Sequence, residues 1–188
     1  GEASGALVLQ PESAEQPGHA YCSLLGAAAN TNSALSPAGF VAADKILQAA
    51  EDSLVAAGIP PAQLAAVHPH GMGNPASDVP ELTGLLEVLA GSARQQPLVL
   101  VGHKANFGHS MCAAGIVSVI VSSTALHHAA VPVHIGIQTK IKLLHSAVGV
   151  LLPTLSPAVL GEVGLGRAGS VSGTSVSGDN VHIVLQVK

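Results

Sequence analysis

Short strand-like segments alternate with helix-like segments along this sequence, and that alternation constrains the fold more than any other feature. The strand-like runs are apolar and bounded by Pro, Gly and Ser, whereas the helix-like runs repeat apolar residues at helical spacing. The predicted strands are residues 7–10, 21–27, 65–68, 98–102, 169–172 and 181–187. The predicted helices are residues 38–57, 79–90 with Ser77 as N-cap, and 110–129. This order predicts an α/β sheet with helices on both faces and functional groups on loops at the strand ends.

The composition argues against several classes of protein. Of the 188 residues only 10% are charged and 48% are hydrophobic, a balance opposite to that of disordered chains, so we expect one folded domain. A net charge of −4, no cluster of Lys or Arg, and no Trp argue against nucleic acid binding. The most apolar window, residues 113–126, is interrupted by serines and is shorter than the roughly 18 residues that a membrane span needs.

The two cysteines, Cys22 and Cys112, show neither CxxC nor metal-ligand spacing, so we predict no metal site. We interpret both as reduced thiols, which fits a cytosolic or organellar (plastid or mitochondrial) interior. The chain begins at Gly1 and runs directly into the strand-like segment 6–9. No signal or transit peptide is recognisable, and we expect that a segment upstream was removed.

Three loops concentrate Gly, His, Asn and Ser, and each follows or links predicted strands: residues 68–75, 102–109 and 175–182. The first contains His70-Gly71-Met72-Gly73-Asn74-Pro75, followed by Asp78 and Glu81, and resembles the HGTGTPxGDPxE motif of β-ketoacyl synthases. The second, Lys104-Ala105-Asn106-Phe107-Gly108-His109 with Ala113-Ala114-Gly115, resembles the family's KSNxGHxxAAAG motif.

Both ends of the chain extend the resemblance. Residues 167–185 are similar to RAGVSSFGFGGTNAHVVLE, and residues 1–9 are similar to the GEGAGxLVLE strand that closes the family's N-terminal half. The resemblance therefore covers only the C-terminal half of a condensing enzyme. It implies a thiolase-like α/β fold with a five-stranded mixed sheet and helices on both faces. Residues 1–188 would form one C-terminal domain, with residues 1–10 as the closing strand of the missing half.

The resemblance implies decarboxylative Claisen condensation, in which a malonyl thioester loses carbon dioxide and attacks an acyl group held on a cysteine. His70 and His109 match the two histidines whose Nε2 hydrogens stabilise the enolate oxygen, and loss of such a donor raises a barrier by about 3 kcal/mol. Lys104 matches the lysine that holds the second histidine. Glu81, Asp78 and Asn106 match supporting residues.

Several departures from the family pattern bear on activity. No residue matches the nucleophile, which the family carries in a TACSS-like turn of its N-terminal half. Cys22 falls in a predicted strand and Cys112 in the first turn of the predicted helix 110–129, where the helix dipole would lower a thiol pKa; both are interpreted as packing residues. The threonines that bond the phosphopantetheine arm are replaced by Met72 and Asn74, of which only Asn74 can hydrogen-bond. Val176 stands where the family has a gating phenylalanine.

The remaining histidines are predicted to have structural or solvated positions. His68 and His103 have no counterpart in the family motifs and are interpreted as neighbours of the site. The others are interpreted as solvated or capping residues: His19, His127, His128, His134 and His145.

Two functions follow from these patterns. The chain is either the C-terminal half of a ketosynthase for fatty acid or polyketide synthesis, or a ketosynthase-derived structural subunit of a larger assembly without turnover. In the first case a separate Cys-bearing half supplies the nucleophile. The substrate then arrives on the phosphopantetheine of acyl carrier protein, and no cofactor is bound. A third candidate, an acyl-binding or thioesterase-like domain, has only Cys112 and the histidines in its favour.

Overall fold

A computed structural model describes residues 1–11, 20–32, 41–90, 94–160 and 167–187. The strands are β1 (Ser23–Thr31), β2 (Leu64–His68), β3 (Leu98–Leu100), β4 (Ala130–Val131), β5 (Val150–Leu151), β6 (Ala158–Val159), β7 (Ala168–Thr174) and β8 (Asp179–Gln186). The helices are α1 (Ala43–Ala57), α2 (Pro75–Leu89), α3 (Lys104–Phe107), α4 (Ala114–His127) and α5 (Lys142–Ser146).

A mixed sheet of six strands, in the order β1-β8-β7-β2-β3-β5, organises these elements. The strands β7, β2, β3 and β5 are mutually parallel, whereas β8 runs antiparallel to both β7 and β1. The short strands β4 and β6 form a separate antiparallel pair. Because β2 and β3 are parallel neighbours, the loops that follow them leave the same edge of the sheet.

Helices cover both faces of this sheet, as the sequence predicts. On one face, Ile46 and Leu54 of α1 and Leu85 of α2 pack with Val67 and Val184 of the sheet. On the other face, Leu126 of α4 packs with sheet residues that include Ala66, Val99, Val171 and Leu185. Burial of each large aliphatic side chain contributes roughly 1.5–3 kcal/mol, so these two layers hold the fold together.

The ends of α1 and α2 follow from local chemistry. Helix α1 ends at Gly58, whose φ of 66° favours glycine and whose N–H donates to the carbonyl oxygens of Leu54 and Val55. Helix α2 begins four residues earlier than predicted, and its N-cap is Asn74 rather than Ser77. The Asn74 side chain accepts a hydrogen bond from the Ala76 N–H, and Pro75 occupies the first helical position, where no N–H is needed.

The predicted strand over residues 7–10 is absent, and this expectation was wrong. Val8 and Leu9 are 95% and 78% exposed, and none of the described strands pairs with this segment. An isolated apolar run has no ladder partner for its backbone groups, so its composition alone cannot make it a strand. Gly5, two residues before this segment, lies against α4: a Cβ added to it would approach the side chains of Ile120 and Ile116 at 2.9 and 3.3 Å.

Other boundaries differ by smaller amounts. The main sheet has six strands where five were expected, because the two-residue strand β5 is too short to leave a periodic pattern. The predicted helix 110–129 divides into a 3₁₀ turn over Met111–Ala113 and the helix α4, and Met111 and Ala129 beside its ends have positive φ. Helix α1 begins at Ala43, and residues 38–40 of the predicted helix lie outside the described part of the chain.

No helix in the described part of the chain is both long and apolar enough to cross a membrane.

Candidate active site

The loops after β2 and β3 bring His70 and His109 together. Their ring centroids lie 5.4 Å apart, with an angle of 73° between the ring planes. Both rings line two cavities, a smaller one of about 440 Å³ and a larger one of about 750 Å³. The pair therefore lies where the two cavities meet, at the edge of the sheet where parallel strands end.

Two carboxylates of α2 hold the loop that carries His70. Glu81 Oε1 accepts from the His70 N–H at 2.6 Å, and Glu81 Oε2 accepts from the Gly71 N–H at 2.9 Å. Asp78 continues the pattern, accepting from the next two N–H groups, those of Met72 and Gly73, at 2.8 and 3.0 Å. The positive φ of Gly71 and Gly73, 58° and 78°, lets four consecutive N–H groups face one helix.

Burial of Glu81 has an electrostatic consequence. The side chain is 2% exposed, and desolvation raises the pKa of Glu81 to about 7, against the lowering effect of its two backbone hydrogen bonds. Burial also raises the pKa of Asp78. Glu81 is thus both a structural clamp for the His70 loop and a titratable group near neutral pH.

Lys104, the first residue of α3, connects the two loops. Its Nζ donates a hydrogen bond to the carbonyl oxygen of His70, and burial lowers the pKa of the Lys104 ammonium group. Lys104 is close enough to His109 to lower the pKa of that ring, but its hydrogen bond is to the backbone of His70. Lys104 therefore joins the loop after β3 to the loop after β2.

The protonation of His109 follows from one hydrogen bond. The Met111 N–H donates to His109 Nδ1 at 2.9 Å, so a neutral His109 ring must carry its proton on Nε2. Burial, with a further contribution from Lys104, lowers the pKa of His109. The same two causes, in the same order, lower the pKa of His70 to about 4. Both imidazoles are therefore neutral at pH 7 and can donate one hydrogen bond each.

Asn106 of α3 clamps a third segment to the site. Its Nδ2 donates to the Val133 carbonyl oxygen at 3.0 Å, and its Oδ1 accepts from the Ile135 N–H at 2.9 Å. The close fit is visible at Gly136, where an added Cβ would lie 2.3 Å from the Ala105 carbonyl oxygen. The supporting residue of the second motif thus positions residues 133–135 beside α3.

The residues predicted to meet the substrate arm lie at the edge of the site. Val176 is 71% exposed in the turn between β7 and β8 and lines the larger cavity. Asn74 is exposed, commits its Oδ1 to capping α2, and is not among the residues that line either cavity. Met72 lines both cavities.

The packing role predicted for Cys22 is confirmed, since this residue packs against the core cluster that contains Leu126 and Leu185, whereas the packing role predicted for Cys112 was wrong. Cys22 is half-buried one residue before β1 rather than within the strand, and burial raises the pKa of its thiol. Cys112 is exposed in the 3₁₀ turn before α4, where it lines the larger cavity. Both thiols are free, and the described residues contain no group of three or more metal-ligating side chains.

Three buried histidines lie around the smaller cavity: His68, His103 and His134. The first two are neighbours of the site, as the sequence predicts, whereas the burial of His134 was not predicted. His68 and His103 hydrogen-bond each other, with 3.1 Å between His103 Nδ1 and His68 Nε2. His134 was assigned to solvent but is only 4% exposed. His68 ends strand β2, and His103 directly follows the predicted strand 98–102. These positions beside buried strands are the signal from which their burial could be predicted, whereas no local pattern marks His134. His19 lies outside the described residues.

Comparison with known proteins agrees with the resemblance. Residues 21–138 match the family described as beta-ketoacyl synthase, C-terminal domain. The chain is 32% identical to the polyketide synthase ThaG of Burkholderia thailandensis over 99% of its own length and 4% of that protein. It is 33% identical to the erythronolide synthase EryA2 of Saccharopolyspora erythraea over 98% of its own length and 5% of that protein.

Solved structures show the same fold. The chain superposes on a ketosynthase domain of OzmH from Streptomyces albus with a TM-score of 0.79 and 20% identity, covering 89% of this chain and 30% of that one. The ketosynthase from module 6 of the Bacillus subtilis bacillaene synthase also gives a TM-score of 0.79, with 23% identity over 90% of this chain and 31% of that one. The chain thus spans less than a third of those structures and less than a tenth of the two polyketide synthases.

Proposed function

This chain belongs to the β-ketoacyl synthase family, as a C-terminal domain, and from that premise we propose that it supplies the two-histidine, malonyl side of a condensing site. A Cys-bearing half that this sequence does not contain supplies the acyl side. The observation that carries the proposal is the 5.4 Å separation of the His70 and His109 rings, both neutral and both at the junction of the two cavities.

The first step is decarboxylation of a malonyl thioester. The bond between the α-carbon and the carboxylate carbon breaks, carbon dioxide leaves, and the electron pair moves into the thioester to form an enolate. The negative oxygen accepts hydrogen bonds from Nε2–H of His109, whose tautomer is set by the Met111 N–H, and from His70. Neutral rings suit this role because an imidazolium would transfer its proton and quench the carbanion.

The second step needs the missing half. The enolate carbon attacks the carbonyl carbon of an acyl group carried on a cysteine of that half, a new carbon–carbon bond forms, and the cysteine thiolate leaves. The malonyl group is carried on the phosphopantetheine of acyl carrier protein. The exposed position of Val176 in the lining of the larger cavity supports it as a contact of the arm outside the reacting centre. For Asn74 such a contact would have to use its Nδ2, because its Oδ1 caps α2.

Glu81, Asp78, Lys104 and Asn106 act as positioning residues in this proposal. Each makes hydrogen bonds to backbone groups of the loops that carry the histidines or of the neighbouring segment. Rigid loops favour catalysis because donors that already point at the developing charge need no reorganisation. Together these side chains bind five backbone groups of residues 70–73. They therefore restrict the movement of the backbone that carries the His70 ring.

The missing half would cover apolar surface around the larger cavity. That cavity is lined by side chains such as Met111, Val119 and Val176, and Met111 and Val176 are 74% and 71% exposed. Exposed apolar patches of this kind mark interaction surfaces. The small share of charged residues in the whole chain, 10%, supports the same conclusion.

The test is reconstitution. The 188-residue chain is mixed with the N-terminal half of a ketosynthase carrying the cysteine, and condensation of acyl and malonyl thioesters is measured by mass spectrometry. We expect no condensation by this chain alone and condensation on mixing. Condensation by this chain alone would refute the assignment, and Cys112 would then be the first candidate nucleophile because it is exposed in the cavity that His70 and His109 line.

A second candidate function is a structural subunit without turnover. The observation that favours it is the replacement of both arm-binding threonines, since Met72 has no hydrogen-bond donor and Asn74 is occupied in capping α2. Under this alternative the mixture associates but forms no product, and the malonyl thioester is not decarboxylated.

A further inference from the structure

The smaller cavity extends away from the His70–His109 pair into the apolar interior. It has a volume of about 440 Å³, and its lining includes apolar side chains of one core cluster: Leu82, Leu100, Ile141, Leu144 and Leu152. The pair and Met72 also line the larger cavity. An acyl group that meets the malonyl thioester at the histidines therefore has space for its apolar chain in the smaller cavity, and the arm of the malonyl thioester has space in the larger cavity.

His134 is a polar group in the lining of this cavity whose hydrogen-bonding state can be assigned. Its ring Nδ1 lies 2.9 Å from the Pro153 carbonyl oxygen, which also accepts from the His134 N–H at 2.8 Å. A carbonyl oxygen only accepts, so Nδ1 carries a proton. Burial lowers the pKa of His134, so the ring is neutral at pH 7 and Nε2 presents a lone pair.

The Nε2 lone pair is left uncovered by the fold. No described residue donates a hydrogen bond to it, although the His134 side chain is only 4% exposed. The space beside it exists because residue 102 is glycine: a Cβ added to Gly102 would lie 3.0 Å from His134 Nε2. Asn106 holds both neighbours of His134, Val133 and Ile135, so the ring cannot easily turn away.

His103, in the same cavity lining, has the same tautomer for a different reason. His68 Nδ1 donates to the Pro69 carbonyl oxygen, so His68 Nε2 accepts from His103 Nδ1, and the proton of His103 lies on Nδ1. His103 Nε2 is then an acceptor, and it is buried without a hydrogen-bond partner. Buried polar atoms without partners are uncommon in native proteins, and His103 Nε2 is one of them. The rings of His103 and His134 both line the cavity.

We propose that this cavity binds the acyl chain of the substrate and that His134 selects a chain bearing a hydroxyl group over the corresponding ketone. The hydroxyl donates to His134 Nε2, whereas a ketone oxygen, itself an acceptor, faces a lone pair and leaves it unsatisfied. The proposal rests on the proposed function only in taking a thioester as the ligand. It assigns His134 as a specificity-determining residue.

The test compares matched ligands. Octanoyl thioesters of N-acetylcysteamine carrying a hydroxyl or a ketone at carbon 3, 5 or 7 are titrated into the 188-residue protein by calorimetry. We expect one hydroxylated isomer to bind about tenfold more tightly than its ketone, the effect of one hydrogen bond. The absence of binding, or equal binding of hydroxyl and ketone at all three positions, overturns the proposal.

Two variants test whether His134 is responsible. His134→Phe removes the acceptor and keeps a ring, and Gly102→Ala fills the space beside Nε2 without changing the histidine. We expect both to reduce the hydroxyl preference to about onefold, while His127→Phe on the exposed end of α4 leaves it at about tenfold. Should His134→Phe fail to fold because it loses the bond to Pro153, Gly102→Ala decides alone; a preference retained in Gly102→Ala overturns the proposal.

Malonyl decarboxylation separates this proposal from the proposed function. It reports on His70 and His109 and does not require an acyl chain in the smaller cavity. A hydroxyl preference without decarboxylation supports the cavity assignment and counts against the condensing function. Decarboxylation without a hydroxyl preference supports the condensing function and overturns the cavity assignment.

Discussion

The Lys104 ammonium group donates a hydrogen bond to the carbonyl oxygen of His70, so two loops that are distant in sequence are joined beneath the histidine pair. The positive charge also disfavours protonation of both rings, and it lowers the pKa of His70 and of His109. One side chain thus positions the His70 loop and keeps the imidazoles neutral.

We expect Lys104→Met to raise the pKa of His70 and of His109, because removal of a nearby cation removes a charge that opposes their protonation. Measurement of the histidine ring resonances by NMR as a function of pH follows both groups. Lys140→Met, at an exposed lysine in the lining of the same cavity, is the control and should leave the His70 titration close to that of the wild type. A His70 pKa unchanged in Lys104→Met would contradict the electrostatic role.

Glu81→Gln should destabilise the protein by about 1–3 kcal/mol. Both carboxylate oxygens accept backbone N–H groups, and the amide nitrogen of Gln would face one of these donors and leave it unpaired in a buried position. Chemical denaturation at pH 8 measures the loss. Glu87→Gln, at an exposed glutamate of the same helix, is the matched control and should change the stability by less than about 0.5 kcal/mol. Equal stabilities of the two variants would refute the clamp.

The stability should fall as the pH drops from about 6.5 towards 4. The pKa values of His68, His70, His103 and His182 are lowered by burial from 6.5 to about 3, 4, 4 and 4, so the unfolded chain binds more protons in this range. Glu81 acts in the opposite direction: its pKa is raised from 4.5 to about 7, and the stability that it contributes at low pH is lost as the pH rises through about 7. Four histidines outweigh one glutamate.

Urea denaturation at several pH values measures this dependence, and His182→Phe isolates one contribution. Both ring nitrogens of His182 are buried without partners, so an apolar ring should be tolerated at pH 7 and should reduce the loss of stability in acid. A stability that is constant from pH 7 to pH 4.5 would contradict the prediction.

Arg94→Ala should cost about 2–4 kcal/mol of folding free energy. The guanidinium group donates to the carbonyl oxygens of Pro61, Leu64, Leu89 and Gln96, and so ties the end of α2 to the start of β2. Hydrogen bonds to charged groups are worth roughly 1.5–3 kcal/mol each when buried, and partial exposure reduces their sum. Thermal denaturation compares this variant with Lys142→Ala, at an exposed lysine, for which we expect little change. A similar midpoint for both variants would disprove the tether.

Any malonyl decarboxylation by the chain should be weak and should fall about a hundredfold or more in His109→Ala, because one of two donors to the enolate oxygen is lost. Release of carbon dioxide from malonyl-N-acetylcysteamine measures the rate. His127→Ala, at an exposed histidine of α4, should retain the wild-type rate. Equal rates in both variants would remove His109 from the site.

Some elements could be predicted because their signals are local. The apolar strands β2, β7 and β8 and the stop of α1 at Gly58 appear at or near the predicted positions, since buried runs and a glycine C-cap are readable over a few residues. The two motif loops were placed at strand ends for the same reason. The prediction of a strand over residues 7–10 was wrong because a strand needs a neighbouring strand to pair with, and local composition does not indicate whether one is present.

The sequence by itself determined the family, the α/β class and the motif histidines, because those features are written in residue types at fixed spacing. Only the tertiary structure decided which atoms meet: that Lys104 bonds to the backbone of His70, and that His134 is buried beside Gly102. These relations join residues from separate loops, and a change of a few tenths of an ångström in the distance between two atoms can make or break a hydrogen bond. Periodicity along a chain carries no information about such distances, so the hydrogen-bonding state of each imidazole follows from the fold alone.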